Sequence, residues 1–178
     1  MNINKGVIEV FGHRVLFSLI GDLEIDSTPS CIWLTGKNGA GKTSFIEGVL
    51  IPALQKERIP FIYFGQDFQT QYYTIQAVLA VEGNRVDPAD FAGTVNMWIN
   101  RSPEAKILIL DEFDKYWNAI KRLYASTRGF VKTYIVVTHD GASGDNGPGA
   151  PFTNRIWSFE EKGLEGASPV VEVREVRI

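Results

Sequence analysis

The feature that most restricts this chain is the run Gly36-Lys37-Asn38-Gly39-Ala40-Gly41-Lys42-Thr43. Its three glycines leave a backbone too permissive for the interior of a helix or strand, so the run must be a turn. Before it, Ile32 to Thr35 reads as a buried strand. After it, Phe45, Ile46, Val49, Leu50 and Ala53 recur at helical spacing, with Pro52 expected to kink or end that helix. A buried strand joined to a helix through a bare-backbone turn directs the chain to an α/β architecture. The same turn gathers free amides at a helix mouth, where an anion is attracted by the orphan N–H groups and the helix dipole. Lys42 is placed to reach the β- and γ-phosphates of a nucleotide. The Thr43 hydroxyl suits Mg²⁺, a hard cation that prefers oxygen.

The remaining segments fit one domain. At 178 residues the chain can bury one substantial core but not two ordinary enzyme domains. Val7 to Phe11, Arg14 to Ile20 and Asp22 to Ile25 read as a small antiparallel meander. Phe61 to Phe64 reads as the next strand, and Ile107 to Leu110 and Tyr134 to Val137 are fully apolar β-rich runs of the kind found in covered parallel strands. Tyr73 to Val81 reads as a short helix. Asp87-Pro88 reads as an N-cap opening a second helix, with Phe91, Val95, Trp98 and Ile99 on one face. Tyr116, Ile120, Leu123 and Tyr124 mark a third, ending near Gly129. The Gly- and Pro-rich stretch 141–151 reads as a loop, and Ile156 to Phe159 and Val170 to Val176 close the chain as strands. The fold expected is a three-layer αβα domain with a mostly parallel central sheet and an N-terminal antiparallel β subdomain.

Composition narrows the partners. The 18 Lys and Arg are scattered and outnumbered by 21 acids, so charge gives nucleic-acid binding no support. No apolar run approaches the ~18 residues of a membrane span, so membrane insertion is not expected and a cytoplasmic protein is the default reading. The single Cys31 lies in an apolar run and is expected to pack as a small hydrophobe.

A second group faces the glycine turn. Ile107-Leu108-Ile109-Leu110 ends in Asp111-Glu112, and strand ends of this kind line the ligand crevice of α/β sheets. Asp111 is suited to hold Mg²⁺ and Glu112 to polarise the water that attacks the γ-phosphate.

These residues together resemble the ATP-binding cassette ATPases, in the same order along most of the chain. Leu34 to Thr43 has the Walker A form typical of that family. Leu110-Asp111-Glu112 is similar to its Walker B with the catalytic glutamate. Tyr63-Phe64-Gly65-Gln66-Asp67-Phe68, with Gln66 lying 24 residues after Lys42, looks like the Q-loop. Val137-Thr138-His139-Asp140 resembles the switch-histidine loop, and Phe11 stands near the position of the adenine-stacking aromatic. The resemblance implies an ATPase using ATP and Mg²⁺. Gly36, Asn38, Gly39, Ala40, Gly41, Lys42, Thr43, Ser44 and Phe11 would hold the nucleotide. Thr43, Asp111 and Gln66 would hold the metal, and Glu112, His139, Gln66 and Lys42 would act in catalysis. It also implies an ATP-dependent homodimer working with a further protein partner.

The chain departs from that family between its motifs. Only 44 residues separate Gln66 from Asp111, leaving a reduced helical insert at about 69–104, and no Leu-Ser-Gly-Gly-Gln signature is present. The nearest substitutes, Val81-Glu82-Gly83-Asn84-Arg85 and Phe91-Ala92-Gly93-Thr94, are poorly placed. Phe113 stands where the family has Pro, and Asn118 where it has the D-loop Asp. Three alternatives therefore stay open: a nucleotide-gated interaction module with little hydrolysis, a transporter ATPase subunit, and an AAA+-like ATPase, whose Walker B also resembles Leu110 to Lys115.

Overall fold

The computed structural model describes residues 1–10, 15–25, 29–111, 131–138, 153–166 and 168–177. The elements in chain order begin with β1 (Asn2–Ile3), β2 (Gly6–Val10), β3 (Val15–Leu19), β4 (Leu23–Glu24) and β5 (Ser30–Thr35). The loop then leads into α1 (Lys42–Phe45), a π-helical turn (Ile46–Leu50) and α2 (Ile51–Lys56). There follow β6 (Phe61–Phe64), α3 (Phe68–Val81), α4 (Phe91–Asn100), β7 (Ile107–Leu110), β8 (Thr133–Thr138), β9 (Thr153–Glu165) and β10 (Ser168–Arg177).

Eight strands form one sheet in the order β2-β3-β10-β9-β5-β8-β7-β6. The five from β9 to β6 are parallel, and the fully apolar runs of β7 and β8 are buried along their length, while β6 is buried at alternate residues. Their side chains alternate between two cores, as the pleat requires. Ile32, Leu34, Ile109, Ile135 and Val137 pack under the helix that follows β5. Cys31, Trp33, Leu108, Leu110 and Val136 pack under α3 and α4 on the opposite face. The result is three layers, αβα, with antiparallel strands at one edge of a mostly parallel sheet.

The helix after the loop is anchored at its first turn. Phe45 is fully buried, and its ring meets Phe17, Phe159 and Trp157 edge-on at 5.2, 5.3 and 6.1 Å between centroids. This arrangement suits the aromatic quadrupoles and fixes the helix mouth against β3 and β9. Pro52 does not end this helix. It sits in the first turn of α2, and the irregularity lies upstream in the π-turn. A wider π-turn relieves the i−4 carbonyl that a proline ring would otherwise crowd. Gly48 in that turn admits Val10, whose Cγ1 would lie 2.3 Å from any Cβ there.

Two further expectations are corrected. The N-terminal meander is a two-stranded hairpin, β2 with β3, continuous with the main sheet through parallel pairing of β3 to β10. Its expected third strand, β4, pairs with β1 instead. Asp87 does not cap α4. Asp90 does, accepting from the Gly93 amide at 2.9 Å, while Asp87 closes a turn onto the Ala89 amide. The expected third helix and the 141–151 loop lie outside the described residues.

Candidate phosphate and metal site

The loop after β5 has the conformation its glycines predict. Gly36, Gly39 and Gly41 have φ of 148, 81 and 81°, values that L side chains rarely adopt. At Gly36 the requirement is also steric, because a Cβ would stand 2.6 Å from the Phe159 carbonyl oxygen of the neighbouring β9. Gly41 is the N-cap of α1, so the helix axis begins where the loop ends. Lys42 is buried, and its ammonium donates to the carbonyls of Gly36 and Lys37 at 2.6 and 2.9 Å. The lysine thus folds back over the loop it is expected to complete around a phosphate.

The strand order sets what faces the loop. β8 separates β5 from β7, and its last residues extend past the end of β7, because Leu110 pairs with Val136 while Thr35 pairs with Thr138. The helix after β5 and the helices after β6 cover opposite faces, so a crevice opens at the carboxyl ends of β5 and β8. The Thr43 hydroxyl bridges that crevice, donating to Asp111 Oδ2 at 2.8 Å. Gln66, just past β6, donates its amide to the same Thr43 oxygen at 2.8 Å. Three segments, far apart in sequence, thereby meet on one hydroxyl. Asp111 is 1% exposed, and its amide is fixed by the Phe64 carbonyl at 2.8 Å.

A cavity of about 360 Å³ opens at this point, lined by Gly41, Lys42, Thr43, Glu47, Gln66 and Val137 among others. Ser44 also faces it, while Ala40 is buried beneath the loop. A second cavity, about 650 Å³, flanks the outer side of the loop at Lys37 and Asn38. Glu160 and Glu161 line the second one, and their charge disfavours a phosphate chain there. The first cavity is lined by the lysine and the hydroxyl that a metal-bound triphosphate requires, and Asp111 is tied to that hydroxyl from behind.

Among the described residues no group of three or more His, Cys, Asp and Glu side chains forms a metal cage. One carboxylate, Asp111, and one hydroxyl, Thr43, fit Mg²⁺, which takes few protein ligands and keeps waters and phosphate oxygens for the rest, while Gln66, expected as a ligand, turns its amide nitrogen to that hydroxyl.

Glu112, His139 and Phe11 lie outside the described residues. Thr138, which precedes His139, ends β8 and is buried. Two neighbours of the site were not anticipated. Tyr63 donates its hydroxyl to Glu47 Oε1 at 3.1 Å. Burial, then the charges of Asp111 and Glu47, push this phenol well above its ordinary range, so it remains a donor. The signal for Glu47 was its place four residues after Thr43 on the same helix face.

No family model matches the chain, and no curated protein does. Solved structures do resemble it. One is that of a KaiC-like protein from the hyperthermophilic archaeon Pyrococcus horikoshii OT3, 15% identical, with a TM-score of 0.48 over all of this chain and 89% of that one. The strand order and loop described above are those of a three-layer αβα fold with a glycine-rich turn between a parallel strand and a helix.

Proposed function

We propose that the chain binds ATP·Mg²⁺ on the Gly36 to Thr43 loop and hydrolyses it as the motor or switch subunit of a larger assembly. The observation that carries this reading is the Thr43 hydroxyl held between Gln66 and Asp111, each at 2.8 Å. A metal-bound γ-phosphate needs these three groups at one point. In that role Lys42 neutralises the β- and γ-phosphates and the loop amides bind their oxygens. Thr43 and Asp111 orient the ion. The metal, when bound, supplies charge neutralisation across the terminal phosphates. Glu112 polarises the attacking water, His139 contacts the γ-phosphate, and Phe11 stacks on adenine.

The Gln66 contact supports the cassette-type reading over an AAA+-like one. The helical segment between Gln66 and Asp111 supports a soluble assembly over a transporter subunit, since α3 and α4 are committed to the second core. Both substitutes for the missing signature have their amides engaged. Gly93 donates to Asp90 and Gly83 to Ala80, at 2.9 and 3.0 Å. This favours, as the second reading, a nucleotide-gated interaction module with little or no hydrolysis. ATP turnover measured across protein concentrations separates the two. A rate per molecule that rises with concentration and falls at least about a hundredfold in Glu112→Gln supports the motor. Tight binding without turnover at any concentration supports the module.

A further inference from the structure

The cavity beside the Thr43 hydroxyl is lined by a carboxylate, Glu47, that the phosphate-loop reading leaves without a task. Glu47 stands one helical turn beyond Thr43, and residues four apart share a helix face, so both line the same cavity. Its position is fixed from the sheet. Tyr63 lies in β6 opposite Ile109 of β7, and its hydroxyl donates to Glu47 Oε1 at 3.1 Å. The ring leaves little room beside Gly65, where a Cβ would come within 3.2 Å of the hydroxyl. One phenol thus ties the helix carboxylate to β6, the strand paired with β7, whose end carries Asp111. Negative charge lining a partly open site is relieved by a divalent cation.

Magnesium gives up its water reluctantly, so a site offering it one or two protein oxygens leaves several bound waters in need of acceptors. Carboxylates around a metal that accept from its ligands orient them and set affinity without touching the ion. We propose that Glu47, held by Tyr63, is an outer-sphere carboxylate of the magnesium site, accepting hydrogen bonds from the ion's waters and setting the magnesium affinity of the nucleotide complex. The proposal rests on the ATP·Mg²⁺ reading above, and it assigns Glu47 and Tyr63 as positioning residues.

The test is a fluorescence titration of the full chain with N-methylanthraniloyl-ATP over a range of free Mg²⁺, for wild type, Glu47→Gln and Tyr63→Phe. Glu47→Gln should need about tenfold more Mg²⁺ for half-maximal binding, with metal-free binding no weaker than wild type. Tyr63→Phe, which frees Glu47 without removing its charge, should shift the same curve by a smaller factor. Superimposable Mg²⁺ curves for wild type and Glu47→Gln would overturn the proposal. So would a Glu47→Gln variant that weakens metal-free and metal-bound nucleotide equally, since that marks a role in the helix alone. A wild-type chain that binds the probe at no Mg²⁺ concentration removes the ATP reading itself, and the proposal with it.

Discussion

Gly36 shows how much of a phosphate site is decided by a single missing side chain. Its φ of 148° and the Phe159 carbonyl 2.6 Å from a would-be Cβ act in the same direction. Gly36→Ala should therefore cost about 2–3 kcal/mol, combining a strained backbone with a contact that must open against β9. Urea unfolding of the variant gives the figure, and a loss below about 0.5 kcal/mol would mean that the loop yields there freely. The need for glycine was legible in the sequence, because three glycines beside a helix-periodic run have few other uses. The partner was not, because Phe159 lies far along the chain and only the sheet order brings it beneath the loop. The same holds for Tyr63 and Glu47. Each reads locally as an ordinary strand aromatic and an ordinary helix-surface acid, and their meeting depends on β6 and the loop helix being folded together.

Among the elements, α4 carries the clearest lesson. Asp87 and Asp90 both precede the apolar face, and the chemistry that lets an aspartate cap a helix also lets it close a turn. Sequence alone favoured Asp87 because Pro88 follows it. The fold uses Asp87 for the turn and Asp90 for the cap. Asp90→Ala should lower stability by about 1 kcal/mol and leave nucleotide affinity unchanged, since α4 packs on the core remote from the loop. Paired denaturation and binding measurements check both halves. The buried face of α4 was read correctly at Val95 and Ile99, which are fully buried, because apolar periodicity reports burial more directly than it reports boundaries. Pro52 shows the converse. A proline marks stress on a helix, but whether the chain answers with a stop, a kink or a π-turn is settled by what packs alongside, here Val10 against Gly48.

For the molecule as a whole, the parallel core was legible because fully apolar β-runs between helical patterns have few stable arrangements. The edge was not. That β3 would pair parallel with β10, and β4 with β1, depends on contacts between opposite ends of the chain that no local pattern encodes. The central order matters most for function, since β8 between β5 and β7 holds the loop and Asp111 on two sides of one crevice, with Thr43 spanning it. That geometry should act as one unit on a metal-bound triphosphate. Isothermal titration calorimetry of wild type and Lys42→Ala with ATP in the presence of Mg²⁺ asks this most directly. One-to-one binding by wild type, weakened about a hundredfold or more in Lys42→Ala through loss of charge-assisted bonds to phosphate, is the predicted result. Equal affinity in the two proteins, or no ATP binding by wild type, would contradict it.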